Sequence, residues 1–172
     1  MLQTIQTLLN ICFFRNKPQD LPASGQLLFI CITTAFIFST IRISAVTDYG
    51  SPLVISLSQI ALIGVGLKIL LMLYSKPERW LQAASGLFGC SALLMLMVMP
   101  ILLGSGNLDM QTADLSMSKL ILMAVNLWYF AIMVFILKET LEIKIILAVI
   151  ITFCMELLFA TVLLQMFGDQ IL

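Results

Sequence analysis

Glu156 is the residue in this chain best placed to move a proton or hold a cation. It stands at the midpoint of the apolar run 145–167, where a side chain cannot reach water. A charge at that depth is costly and marks a functional hypothesis by default. Asn126 lies at the middle of the preceding run, at matching depth on what should be a neighbouring antiparallel helix. A protonated Glu156 bonded to Asn126 would satisfy both groups. Three readings follow: a clamp between two helices, a proton or cation site, or a contact across a subunit interface. Arg42 and Lys68 are the other charges inside apolar runs, four and six residues from a span end. Long basic side chains so placed snorkel to the headgroups or pair structurally, with a lipid-phosphate contact as the functional alternative.

Little else in the chain offers chemistry. Histidine is absent, which removes the commonest general base and metal ligand. Cys12, Cys31, Cys90 and Cys154 are widely spaced, with no Cys-x-x-Cys pair, and read as small buried hydrophobes. Met95, Met97 and Met99 alternate, so they fall on different helix faces and read as adaptable packing rather than a copper site. No phosphate loop, nucleophile elbow or zinc-protease motif occurs. The expectation is therefore a non-enzymatic protein without a cofactor or metal.

The solvent follows from composition. Of 172 residues, 61% are hydrophobic and 10% charged, against about 25% charged in a soluble domain. Nine basic and nine acidic residues sum to zero, leaving no basic surface for nucleic acid. The fold class is an all-α integral membrane bundle. Five spans are expected at about 26–46, 53–74, 80–103, 117–137 and 145–167, each long enough to cross a core about 30 Å thick. In lipid every backbone group must pair within its own segment, so all five are helices.

Residues 1–14 are too few to cross. Leu2, Ile5, Leu8, Leu9 and Cys12 alternate with Gln3, Thr4, Gln6 and Thr7 at helical spacing. That pattern predicts an amphipathic helix lying in the interface, with packing on the bundle as the alternative. Residues 15–25 form a proline-containing loop, and Ser24 is placed to cap the first span. Residues 26–172 make the five-helix domain.

Small residues mark close helix approach. Gly64 and Gly66 lie in span two; Ser85, Gly86 and Gly89 lie in span three, with Ser85 and Gly89 in small-xxx-small register. Pro100 should kink span three near its far end. Trp128 and Tyr129 lie too deep to anchor at the interface and should pack.

Orientation comes from the basic residues. Arg15, Lys17, Lys76, Arg79, Lys138 and Lys144 fall in connections on one side, while Arg42 and Lys119 alone fall near the other, beside Asp48, Asp109, Asp114 and Asp169. The positive-inside rule places the N-terminus in the cytoplasm and the C-terminus outside.

Five spans in that orientation resemble the Yip-domain family of small membrane proteins. The stretch Ser85-Gly86-Leu87-Phe88-Gly89-Cys90, the later Pro100-Ile101-Leu102, Trp128, and the link Leu141-Glu142-Ile143-Lys144 are similar to family features. The family's Asp-Leu-Tyr-Gly-Pro motif is missing; Asp48-Tyr49-Gly50-Ser51-Pro52 is only loosely like it. The entrance around Arg15 to Pro22 is similar to small bacterial inner-membrane proteins, which implies that location. The resemblance implies a module for membrane organisation or partner recruitment. The leading expectation is thus a scaffold or accessory subunit, with the lipid bilayer and a membrane-protein partner or second copy as its contacts. A small transporter or channel using Glu156 is the alternative.

Overall fold

A computed structural model describes residues 2–46, 51–104 and 117–167. Among them the chain forms six helices: α1 (Leu2–Cys12), α2 (Gly25–Val46), α3 (Pro52–Leu73), α4 (Trp80–Gly104), α5 (Met117–Leu141) and α6 (Ile145–Phe167). The last five are long and apolar enough to cross a membrane. The fold is all-α, as composition requires. Residues 47–50 and 105–116, which include Asp48, Asp109 and Asp114, lie outside the described residues, as does Asp169.

Spans begin and end within a residue of the expected bounds, with one exception. The fourth was expected to stop at 137, but α5 runs to Leu141. Lys138 and Glu139 bond to each other at 2.8 Å, and Glu139 meets Lys17 at 3.2 Å, so these charges stay satisfied on the helix. The extension moves the midpoint of α5 from Asn126 towards Tyr129.

α4 is the central element. It packs against α1, α2, α3 and α5, most extensively against α2, and α6 rests on α3 and α5. Its N-terminal half explains this. Ala83, Ala84, Ser85 and Cys90 are fully buried, and their small side chains let neighbouring backbones approach. The other spans point Phe29, Leu57, Leu127, Ile146 and Leu158 outward, as a lipid-facing surface demands. Hydroxyls within the spans donate back to their own helix: Thr33 to the Phe29 carbonyl, Thr34 to Ile30 and Thr152 to Ala148.

α1 is packed on the bundle. Leu8, Ile11 and Cys12 are buried, and a Cβ on Gly89 would lie 2.7 Å from a Leu8 methyl. Trp128 Nε1 donates to the Cys12 carbonyl at 3.1 Å, and the Phe13 and Phe14 rings lie against the Trp128 ring. Gly89 is the tenth residue of α4, about 13.5 Å from its start by helical rise. Part of the apolar face expected among acyl chains, at Leu8, Ile11 and Cys12, is covered by protein, Gly89 leaving room for Leu8, while Ile5 stays exposed.

Three turns at one end of the bundle share one design. α1, α3 and α5 stop at Phe14, Ser75 and Glu142, each with φ near +57° (59°, 56° and 58°). In each, the next amide bonds back five residues: Arg15 to Asn10, Lys76 to Leu71 and Ile143 to Lys138. This is the Schellman helix stop, here without glycine. The turns are cross-linked. Lys76 and Arg79 grip Glu142 at 2.6 and 2.7 Å, and Arg79 also donates to the Thr140 carbonyl. Gln82 donates to the carbonyls of Gln19 and Leu21. Lys17, Lys76, Arg79 and Lys138, four of the basic residues expected on one face, thus gather at this end with Glu139 and Glu142. Ser24 contributes its carbonyl to the Leu28 amide at the start of α2.

Candidate functional site

All five long helices converge on a cavity of about 330 Å³. α2 contributes Ser39 and Arg42, α3 Gln59, α4 Ser91, α5 Asn126 and Tyr129, and α6 Glu156. Phe88, Phe130, Phe153 and Met95 complete the walls with small and aliphatic residues. Half of the lining is therefore polar at a depth where the rest of the surface is apolar.

The polar zone extends from one helix pair. Ser39 Oγ donates to Gln59 Oε1 at 3.2 Å, and Thr40 Oγ1 donates to Ser56 Oγ at 3.1 Å. Ser56 donates in turn to the Pro52 carbonyl. These bonds fix the register of α2 on α3 and hold Gln59 at the cavity wall with its amide NH₂ still available.

Arg42 and Glu156 line the same space. Each feels the other's charge, and Tyr129 is close enough to interact with both. Yet no ion pair within 4.0 Å joins them. Arg42, expected either to snorkel to the headgroups or to pair structurally, lines this cavity together with the opposite charge of Glu156.

Asn126 and Glu156 are brought to one cavity, but the hydrogen bond expected between them is replaced. Asn126 Nδ2 donates to the Leu122 carbonyl of its own helix at 2.9 Å. The longer α5 is the reason, since Tyr129 rather than Asn126 stands level with Glu156. Gln59 and Ser39 were not singled out from the sequence, and Tyr129 was read there as packing. Gln59 carried a signal: it is the one amide side chain in α3.

Lys68 lies elsewhere. Its ammonium sits 5.5 Å from the centre of the Trp80 ring, whose Nε1 donates to the Gly64 carbonyl. A cation over an indole face is stabilised by about 0.5–1 kcal/mol at an exposed site. Lys68 thus joins the C-terminal part of α3 to the start of α4.

The small residues do what their size allows. A Cβ added at Gly64 would lie 3.8 Å from the Phe88 ring and one at Gly66 3.0 Å from the Met155 methyl, so the missing side chain at Gly66 lets α6 come close against α3. Gly86 admits Leu21, Pro18 and Ile136. Ser85 is fully buried with its hydroxyl unpartnered. Pro100 lies inside α4. Met95 faces the polar cavity while Met97 faces an apolar groove between α1, α4 and α5, as alternation required. The cysteines are free thiols, and Cys12, Cys31 and Cys90 are buried. No group of three metal-ligating side chains forms among the described residues.

No family model matches the chain, and no curated protein or solved structure is similar to it.

Proposed function

We propose that this chain is a small multi-pass transporter that admits a polar solute or cation to Glu156 from within the bilayer. One observation carries the reading: the cavity that all five long helices build around Glu156 and Arg42. A protein that only organised a membrane or tethered a partner would have no need of charged groups there. Polar groups in lipid are costly and line substrate or ion paths. The scaffold or accessory role, and with it the Yip-like resemblance, rests on small soluble mass and topology and does not account for the cavity.

The proposal includes an orientation with the Lys76, Arg79 and Lys138 end in the cytoplasm of a bacterial cell. The clustering of Lys17, Lys76, Arg79 and Lys138 in ion pairs at one end supports it.

The test is flux. The protein is reconstituted into liposomes holding a pH-sensitive dye, alongside Glu156→Gln. Water access is read in parallel by labelling Ser91→Cys, in a background lacking the native cysteines, with a small polar maleimide. The reading expects labelling at position 91 and flux that falls at least tenfold in Glu156→Gln. Absence of both labelling and flux, with stable capture of a membrane partner, would return the scaffold role.

A further inference from the structure

The cavity holds one acid and one base that face the same space without touching. From this we infer that it is built for a small zwitterion, with an ammonium at Glu156 and an anionic group, carboxylate or phosphate, at Arg42. The inference rests on the transport reading and names the class of its solute.

Charge balance is the first reason. Arg42 and Glu156 sum to zero, so a ligand carrying a single charge would leave one of them uncompensated in a low-dielectric site. A neutral ligand with two opposite charges pairs both. Separation is the second. Opposite charges in an apolar surround attract strongly, yet these two form no ion pair within 4.0 Å although both line one cavity.

Each half of the site also has the right chemistry. Arg42 offers a planar fork of donors that matches carboxylate or phosphate oxygens. The Gln59 amide, whose Oε1 already accepts from Ser39, adds donors on the facing helix. Tyr129, Phe130 and Phe153 line the same cavity as Glu156, and aromatic faces attract an ammonium through their quadrupole. A proton path alone would require neither the fork nor the aromatic walls. At about 330 Å³ the volume suits a small molecule or a lipid headgroup, at the lower end of ligand sites.

The test uses the full chain in detergent and in nanodiscs, with affinity read by ligand-induced thermal shift. Probes are glycine and phosphoethanolamine, with ethanolamine, acetate and inorganic phosphate as their single-charge halves. Nanodiscs of phosphatidylethanolamine or phosphatidylglycerol distinguish a headgroup from a free solute. A zwitterion is expected to bind at least tenfold more tightly than either half, or phosphatidylethanolamine to stabilise the protein where phosphatidylglycerol does not. Loss of one charge-assisted contact is expected to weaken binding about ten- to a hundredfold. Arg42→Gln should therefore reduce a zwitterion to the affinity of ethanolamine, and Glu156→Gln to that of the anion. Arg42→Lys, which keeps the charge, should recover part of the loss in a protein that elutes as the wild type does. Halves binding as well as the zwitterion, or a folded protein binding none of them, would overturn the inference. With position 91 still labelled and flux intact, that result would leave the transport reading standing.

Discussion

Gly89 is where a single methyl group matters most. A Cβ there would meet the Leu8 methyls at 2.7 and 3.1 Å and the Cys31 sulfur at 3.3 Å. Gly89→Ala should destabilise the protein by about 1–3 kcal/mol through overpacking, measured as a lowered unfolding temperature in detergent. Adding Leu8→Ala should return part of it, whereas Leu8→Ala alone should destabilise. A double mutant no better than Gly89→Ala would mean that α1 does not rest on that glycine. At this scale Glu156 was legible, since a carboxylate at the centre of an apolar run stands out in any reading. Arg42 was not. Its position near a span end allowed the side chain to turn to the headgroups or to the interior, and only the arrangement of four other helices decides. Tyr129, too, reads as packing until α5 is known to run to Leu141.

The helices and their stops answer to different forces. Length and apolar content located all five spans, because lipid leaves a chain no other regular choice. The turns followed weaker rules: none of Phe14, Ser75 and Glu142 is the glycine that the left-handed conformation favours, so nothing local announced them. Glu142 adds a pH-dependent element. The Lys76 ammonium and the Arg79 guanidinium hold its carboxyl down to about 2, from an ordinary value near 4.5. A depressed carboxylate contributes stability above its unfolded pKa and loses it as pH falls through the folded one. Stability should therefore drop between about pH 4.5 and 2, and Glu142→Gln should remove that component of the drop. Because Glu142 is exposed, salt should shrink the difference. Acid unfolding curves of the two proteins at low and high salt check this; superimposable curves at low salt would refute it. α1 was the least legible element. Its amphipathic pattern fits either an interface or a groove, and the groove exists only once α4 and α5 are in place.

At the scale of the molecule, the arrangement is a small-residue axis inside a lipid-facing shell. α4 is largely enclosed, while α6 shows most of its surface to the surroundings. Swaps among large apolar residues at Leu157 or Leu158 should change stability by less than about 0.5 kcal/mol, whereas Ala84→Leu on α4 should be severely destabilising. A scan of unfolding temperatures along both helices reads this contrast, and equal tolerance would contradict the central placement of α4. Topology is checked by reporters at the C-terminus. A phosphatase fused there should be active and a fluorescent protein dark if the end lies outside; the reverse would invert the molecule.

The docking of α1 also sets an order of assembly. Its C-terminal carbonyl at Cys12 bonds to Trp128, a partner 116 residues later in the chain. At 5–20 residues per second of synthesis, α1 emerges about 6–23 s before the side chain that holds it. Until α4 and then α5 have followed, its apolar face lacks the protein that finally covers it, and a half-polar helix in that condition rests at the bilayer surface. The amphipathic pattern of residues 2–12 thus describes two successive addresses: a waiting place on the nascent membrane, and a final seat that opens only after the fourth span has been inserted.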